Sequence, residues 1–187
     1  MPDPESIIEV AEGVARILEA RGVGAVVIGG VALAAHRYVR FTDDLDLAVS
    51  IERDALHAVA DAIRGQGHSV AVRDPDLDDP LGGVMDVTGR FGQVQVINYG
   101  GRFPAVIDDA LREATQTIRP GSPLRLVPLP HLVALKLYAG GHKSKADIAE
   151  LLRRNPEIDV DGLRKLCRRY RLPGLDELLR DEGLVSP

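Results

Sequence analysis

The sequence predicts an α/β fold built on a mixed β-sheet, followed by a small helical module at the C-terminal end. In the first half of the chain, short apolar or alternating runs that suit strands are separated by helical patterns. Residues 84–99 have the pattern of a β-hairpin, and after Pro130 apolar residues recur only at helical spacing. We therefore assign a core to residues 1–127 and a helical module to residues 128–187.

The first helix is marked at both ends. Asp3 can cap its start, Pro4 suits its first turn, and Gly22 ends it. The apolar run over residues 25–28 then predicts a strand that is covered on both faces. A Gly-Gly turn ends this strand, and a short helix is expected over residues 31–38.

The next elements continue the alternation of strand and helix. Polar and apolar residues alternate over residues 42–49, which predicts a strand, and Ser50 can cap the helix that follows it. Residues 69–73 suit another strand. The acidic segment over residues 74–83 is expected to be a solvated loop.

The hairpin is expected to have strands at residues 84–88 and 93–99, joined by a turn over residues 89–92. Hairpin strands are antiparallel, so the sheet that includes them becomes a mixed one. A helix over residues 103–115 and an irregular segment over residues 118–127, interrupted by prolines, complete the core.

The composition is that of an ordinary folded protein, with 45% hydrophobic and 27% charged residues. The single cysteine, Cys167, excludes an internal disulfide and a multi-cysteine zinc site. No apolar run approaches the length of a membrane span, and no basic-then-apolar segment begins the sequence. We expect a cytoplasmic protein that has no membrane partner.

Charge is unevenly distributed along the chain. Residues 1–93 carry 8 basic and 16 acidic residues, a net charge of −8, whereas residues 94–187 carry 15 and 12, a net charge of +3. An acidic first half suits a metal site, and a basic second half suits contact with a polyanion. Charged faces are also commonly just solvated, so charge alone leaves the polyanion an open alternative.

Asp44 and Asp46 are the chief candidates for chemistry. Residues two apart on a strand point to the same face, so these carboxylates should lie side by side while Leu45 and Leu47 enter the core. Neighbouring carboxylates repel each other, and a divalent cation such as Mg²⁺ or Mn²⁺, which takes hard oxygen ligands, removes that repulsion. The pair therefore predicts a metal site.

Gly29 and Gly30 predict an anion-binding turn beside this pair. Without β-carbons, their backbone can approach a phosphate closely, and the helix after them would point free amide groups at the same place. Each feature alone has an ordinary explanation, as a turn or as a solvated strand face. Their combination and spacing suit a metal-bound nucleoside triphosphate.

Two segments of the sequence resemble a known superfamily. The first begins with Gly29-Gly30 and ends in Arg40-x-Thr42-x-Asp44-x-Asp46. The second runs over residues 135–152 and includes Lys136, Lys143 and Asp147. Together they resemble the DNA polymerase β-like nucleotidyltransferase superfamily, and in particular its AbiEii/MenT-type toxin nucleotidyltransferases.

The resemblance implies a nucleotidyltransferase fold and an Mg²⁺-dependent enzyme that uses a nucleoside triphosphate. It implies that Asp44 and Asp46 hold the metal and that Lys136 contacts the nucleotide phosphates. Asp147 would help to hold Lys136 or the nucleotide, and a surface ion pair with Lys143 is its ordinary alternative.

Other residues of the two motifs are expected beside the nucleotide. Arg40 can steady the carboxylates or a phosphate, and Lys143 belongs to the second motif. Thr42 is expected at the site, although a β-branched residue is also ordinary in a strand. Ser144 departs from the family pattern, because many relatives carry an aspartate at this position.

Members of the superfamily usually carry a third carboxylate on the later strand of the hairpin, and this sequence lacks it. Gln95 occupies the aligned position, and glutamine can be neither a base nor a strong metal ligand. With a turn over residues 89–92, Asp86 pairs across the hairpin with Gln95 on the same face. Asp86 is therefore a candidate for the missing catalytic carboxylate, with a strand-face charge as the alternative.

The resemblance points to transfer of a nucleoside monophosphate to a tRNA 3′ end by the toxin of a toxin–antitoxin pair, with a cognate antitoxin as partner. Two other functions stay open. The same chemistry on a small aminoglycoside-type acceptor predicts an acidic acceptor pocket. A catalytically quiet nucleotide-binding module is the third, and Gln95 and Ser144 are the residues that favour it.

Overall fold

Helices and strands alternate along the chain in the way that the apolar pattern predicts. The computed structural model describes residues 4–75 and 81–184, so the predicted cap Asp3 and residues 76–80 of the acidic loop lie outside the described residues. Among the helices of the described ranges, none combines the length and the apolar character needed to cross a membrane. The elements are α1 (Pro4–Glu19), β1 (Val26–Ile28), α2 (Gly29–Ala35), β2 (Asp44–Val49), α3 (Arg53–Gly65), β3 (Ser69–Arg73), β4 (Val84–Gly89), β5 (Gly92–Asn98), α4 (Pro104–Glu113), β6 (Arg125–Leu126), α5 (Leu129–Ala139), α6 (Gly141–Arg154), α7 (Val160–Arg169) and α8 (Leu175–Asp181).

The strands form one sheet in the order β3-β4-β5-β2-β1-β6. β2 runs parallel to β5 and β1 runs parallel to β6, whereas the other neighbours are antiparallel. The predicted mixed α/β sheet is confirmed. This order places β2, which carries Asp44 and Asp46, in the interior of the sheet between β5 and β1.

One face of the sheet is apolar and is covered by α1 and α3. Leu45 and Leu47 of β2 are fully buried there, in one cluster with Leu18 of α1 and Leu56 of α3. Burying a leucine side chain of this kind stabilises a fold by about 1.5–3 kcal/mol. Because side chains alternate along a strand, this packing turns the even-numbered residues of β2 to the opposite face.

The opposite face is divided into a covered part and an open part. Val26 and Ala48 pack into a second cluster with α4 and α5, and this cluster continues through Leu163 of α7 and Leu178 of α8. Polar side chains of β2, β5 and β4 occupy the open part. The helices after residue 128 thus share a cluster with the sheet, and the domain division at this point stays a prediction.

The start of α3 differs from its prediction. Ser50 does not cap this helix, which begins at Arg53 after Glu52. Asn98 explains the delay, because its side-chain amide bonds the backbone N–H and C=O of Ile51 at 3.0 and 2.9 Å. These two bonds hold the chain extended after β2 and postpone the helix.

Three further boundaries differ. The strand expected from residue 42 begins at Asp44, and α2 begins at Gly29 instead of after the glycine pair. The segment over residues 118–127, expected to be irregular, contains β6, which pairs with β1. A strand of two residues is too short to show an alternation of polar and apolar residues. It becomes recognisable only through its pairing with β1.

Glu12 is a buried acid of α1 that anchors the segment before β6. Its carboxylate accepts two hydrogen bonds from Arg119, at 2.8 and 2.7 Å, and these bonds lower its pKa from 4.5 to about 2. A carboxyl group with a lowered folded-state pKa stabilises the fold above its unfolded pKa and loses this contribution as the pH falls.

We therefore expect Glu12→Gln to have a lower free energy of unfolding than the wild type at pH 7, by about 1–3 kcal/mol. The difference should shrink as the pH falls from 4.5 to 2. Urea unfolding of both proteins across this range measures it. A difference that stays constant with pH would show that the ion pair does not set the pKa of Glu12.

Candidate functional site

Asp44 and Asp46 point from β2 into one polar chamber of about 400 Å³. Both lie on the open face because Leu45 and Leu47 occupy the buried one. The Thr42 hydroxyl donates a hydrogen bond to the Asp44 carboxylate, which fixes the side chain at the chamber wall. The side-by-side arrangement expected from strand alternation is thus present. The other polar residues of the chamber are Arg40, Thr42, Asp43, Gln95 and Lys143.

The two carboxylates are electrostatically coupled. Burial, and then the neighbouring charge of Asp44, raise the pKa of Asp46 from 3.8 to about 6, while Lys136 and Arg40 act in the opposite direction. A bound cation would offset both the burial of the Asp46 charge and its repulsion by Asp44. The pair therefore fits a divalent metal, which takes hard oxygen ligands.

The metal would have few protein ligands. Within the described ranges, no group of three or more His, Cys, Asp or Glu side chains is arranged to hold a metal ion. Mg²⁺ commonly takes one or two carboxylates and completes its shell with water and substrate phosphates. Asp44 and Asp46 therefore suit a metal that arrives with its substrate.

The two glycines of α2 make room for the side chains of the site. A β-carbon at Gly29 would overlap the Asp46 carboxylate, and one at Gly30 would lie 2.7 Å from the Thr42 side chain. Gly29 also has a φ of +62°, which disfavours other residues. Glycine is thus required at both positions because the backbone lies against the side chains of Asp46 and Thr42. The sequence did not reveal this reason. The phosphate contact expected of them stays a prediction.

Gly29→Ala should therefore displace the Asp46 side chain and strain the start of α2. We expect a lower melting temperature and at least a tenfold weaker binding of Mn²⁺. Changing a residue that orients metal ligands typically weakens metal binding by roughly 10–100-fold. Gly13→Ala is the matched control, because no atom of the described residues lies within 4 Å of its β-carbon position in the middle of α1. Equal Mn²⁺ binding by Gly29→Ala and the wild type would contradict this interpretation.

A second cleft adjoins the chamber, between the strands β1, β2 and β5 and the helices α5 and α6. Its floor contains Lys136 of α5, whose Nζ lies 2.6 Å from Oδ2 of Asp147 on α6. Asp147 is buried, and Arg40 approaches the same oxygen at 3.9 Å. Asp147 therefore pairs with Lys136, and the pairing with Lys143 that helix spacing allows is not formed. The apolar walls are Ile28, Ile97, Tyr99, Leu132, Leu135 and Ala139.

Arg40, Asp46 and Lys143 line both the chamber and the cleft, so the two form one continuous site. Within the part of the chain that the structure describes, the Nε of Arg40 is buried and has no hydrogen-bond partner. An unpaired buried donor costs free energy, and a ligand that accepts a hydrogen bond there would remove the cost. Three cations, Arg40, Lys136 and Lys143, thus face a space that adjoins two carboxylates.

Asp86 lies farther along the open face. It pairs with Gln95 across the hairpin, as the predicted turn requires. Its carboxylate is held by Arg73, Gln93 and Gln95. Gln95 stands between it and Asp46, so Asp86 faces the chamber only across a glutamine.

Tyr99 and Phe41 line the site and were not among the sequence candidates. Tyr99 lines the cleft, where burial and then Asp46 raise the pKa of its hydroxyl. In the sequence it ends an apolar strand and is indistinguishable from a core residue. Phe41 lines the chamber and is 74% exposed. An aromatic residue just before an Asp-x-Asp motif was the available signal.

Some basic residues of the last helices are paired within the protein. Arg164 bonds Asp161 and Asp176, and Arg169 bonds Asp109 at 2.7 Å. Charges paired in this way attract a polyanion less strongly than free ones. The basic second half therefore has less charge available for a polyanion than the sequence indicates.

Comparison with solved structures identifies the architecture. Two structures of ANT(2″)-Ia, one in complex with adenylyl-2″-tobramycin and one in solution, align with 88% and 90% of this chain and 96% and 93% of theirs, at TM-scores of 0.53 and 0.56 and identities of 14% and 16%. An antigenic nucleotidyltransferase-like protein from Paracoccidioides brasiliensis aligns at a TM-score of 0.51 and 15% identity, over 83% of this chain and 78% of its own. The chain has the nucleotidyltransferase fold.

The sequence comparisons add nothing more specific. No family model and no curated protein matches the chain. At these identities the structural likeness concerns the fold alone. It agrees with the superfamily that the two motifs resemble, and the AbiEii/MenT-type assignment stays a prediction.

Proposed function

We propose that this protein is a nucleotidyltransferase that moves a nucleoside monophosphate from a nucleoside triphosphate to a hydroxyl group. The observation that carries the proposal is the continuity of the site. The chamber of Asp44 and Asp46 opens, past Arg40 and Lys143, into the cleft that holds Lys136. A triphosphate lying along this path would meet cations at one end and the carboxylate pair at the other.

The reaction is an in-line exchange at the α-phosphorus. The acceptor oxygen bonds to this phosphorus, the bond to the α–β bridging oxygen breaks, pyrophosphate leaves, and the acceptor proton passes to solvent. A Mg²⁺ ion bound with the substrate would offset the charge on the attacking and leaving oxygens. Asp44 and Asp46 would hold that ion, and Lys136 and Lys143 would bind the departing phosphates.

Asp147 positions Lys136 for this reaction. The ion pair at 2.6 Å fixes the lysine Nζ on the floor of the cleft, since both side chains are largely buried. A flexible lysine loses conformational entropy when it binds a phosphate, and a lysine that is already fixed loses less. The apolar walls beside it suit the nucleobase.

For the acceptor, we propose a tRNA 3′ end, with the protein acting as the toxin of a toxin–antitoxin pair that a cognate antitoxin neutralises. Two features support this choice: the resemblance of both motifs to toxin nucleotidyltransferases, and the exposed ring of Phe41 beside Asp44. A base stacked on an exposed aromatic ring gains about 1–3 kcal/mol.

A small cationic acceptor of the aminoglycoside type is the second candidate. Asp43 adds a third acidic side chain to the chamber, as this alternative predicts. ANT(2″)-Ia, which has the same fold, was solved with adenylyl-2″-tobramycin. The internal pairing of Arg164 and Arg169 also lowers the charge available for RNA.

One experiment separates these functions. The protein is incubated with Mg²⁺, each α-labelled nucleoside triphosphate in turn, and either total tRNA or a set of aminoglycosides. Label on tRNA supports the toxin-type activity, and label on a drug supports the small-molecule activity. Nucleotide binding without transfer to either would contradict the proposal and favour a catalytically quiet nucleotide-binding module.

A further inference from the structure

Asp86 is the centre of a hydrogen-bond cluster on the open face of the sheet. Its Oδ1 accepts hydrogen bonds from the side-chain amides of Gln93 and Gln95, at 2.8 and 2.7 Å. Arg73 donates from its Nε to Oδ2 at 3.1 Å. Only 15% of the Asp86 side chain is exposed. Donors of the chain itself therefore occupy both oxygens of this carboxylate.

The two glutamines stand between Asp86 and the acidic pair. β5 lies between β4 and β2, and its register places Gln93 beside Asp44 and Gln95 beside Asp46. An amide nitrogen only donates and an amide oxygen only accepts. Each amide turns its nitrogen to Asp86, and Gln95 also lines the chamber, so the oxygen is the atom of the Gln95 amide that can accept a hydrogen bond there. One carboxylate thus fixes the orientation of the Gln95 amide at the chamber.

We propose that Asp86 is a positioning residue that acts through Gln95. It holds the Gln95 amide with its oxygen toward the chamber, where that oxygen accepts the hydrogen bond of the acceptor hydroxyl. This role rests on the proposed nucleotidyl transfer. An amide oxygen orients a hydroxyl but cannot keep its proton, so the proton goes to water. Asp86 then serves orientation, in place of the base role that the sequence predicted for it.

The orientation can be tested without any acceptor. The chain has four glutamines, so a protein labelled with ¹⁵N-glutamine gives four side-chain amide signal pairs. Gln66 and Gln116 are exposed and serve as internal references. We expect the amides of Gln93 and Gln95 to exchange protons with water more slowly than the references. Asp86→Asn should remove this difference, because asparagine can turn its own amide and no longer requires nitrogen donors from both glutamines.

The catalytic consequence needs the transfer assay. We expect Asp86→Asn to lower kcat by roughly 10–100-fold, the range found for residues that orient a reacting group, with little change in KM for the triphosphate. In a Gln95→Leu background the same substitution should have almost no further effect, since the two residues act as one unit. Asp61→Asn, which removes an exposed ion pair with Arg64 on α3, is the charge-matched control.

The outcomes are separable. Fast exchange of the Gln95 amide in the wild type, or slow exchange that survives Asp86→Asn, would overturn the orienting role. Additive losses in the double variant would show that Asp86 acts independently of Gln95. A wild type without transfer activity would count against the proposed function, while the amide spectra would still decide the orientation. Should Asp86→Asn fail to fold, Gln95→Leu, which removes both the accepting oxygen and the amide nitrogen that bonds Asp86, must lower kcat in its place.

Discussion

Asp46→Asn is expected to abolish nucleotidyl transfer and, at the same time, to make the metal-free protein more stable. The substitution keeps the shape of the side chain but removes the charge that holds a divalent cation. A loss of at least roughly a hundredfold in kcat is expected when electrostatic stabilisation of the reacting phosphate is removed. The label-transfer assay with the best triphosphate and acceptor measures it.

The gain in stability follows from the raised pKa of Asp46. Its pKa rises from 3.8 to about 6 on folding, so the ionised carboxylate opposes folding at neutral pH. The cost develops as the pH rises from 3.8 through about 6 and is fully present above that value. At about 1.4 kcal/mol for each pKa unit it amounts to about 1–3 kcal/mol, which Asp46→Asn would recover.

Thermal unfolding in EDTA at pH 5 and pH 8 checks this expectation, with Asp108→Asn as a control on the exposed face of α4. The melting temperature of Asp46→Asn should exceed that of the wild type by more at the higher pH. Mg²⁺ with the triphosphate should reduce or reverse the difference, because only the wild type binds it tightly. Unchanged transfer activity would remove Asp46 from the mechanism, and equal melting temperatures would show that the pair is not under electrostatic strain.

The acidic pair could be predicted from sequence because its geometry is local. Strand alternation alone determines that Asp44 and Asp46 share a face, and the leucines between and after them determine which face it is. The mixed sheet followed from the same kind of local pattern, with the hairpin register set by a short turn. That register is why the pairing of Asp86 with Gln95 was also predictable.

Features that depend on distant partners could not be predicted. Asn98 fixes Ile51, 47 residues away, and so moves the start of α3. The amide orientation of Gln95 depends on its hydrogen bond to Asp86. Asp86 is in turn held by Arg73, which bonds it from a third strand. The charge available on the last helices depends on ion pairs such as Arg169 with Asp109. Counting charges in the sequence cannot show which of them are already paired.

Lys136→Met is expected to lose both triphosphate binding and stability. Lys136 and Asp147 form a largely buried ion pair, with 14% and 4% of their side chains exposed. Removing one member of such a pair commonly costs about 3–5 kcal/mol, because the other charge remains buried. Arg40, at 3.9 Å, remains near Asp147 in this variant. Loss of activity in this single variant therefore cannot distinguish a damaged fold from a damaged binding site.

A second substitution separates the two effects. In Lys136→Met/Asp147→Leu, apolar side chains replace the whole pair, and replacement of a buried ion pair by apolar residues is commonly neutral or stabilising. We expect the double variant to recover the wild-type melting temperature and to remain unable to bind the triphosphate. Calorimetric titration with Mg²⁺ and a triphosphate measures the binding.

Each result has a distinct meaning. A stable double variant that still binds the triphosphate would show that the pair only joins α5 to α6, and the phosphate contact of Lys136 would be wrong. If Asp147→Leu alone still binds the triphosphate, Lys136 contacts the phosphates without needing Asp147 to position it. Loss of binding in all three variants, with stability recovered only in the double variant, is the pattern expected if Asp147 is needed to place Lys136 for catalysis.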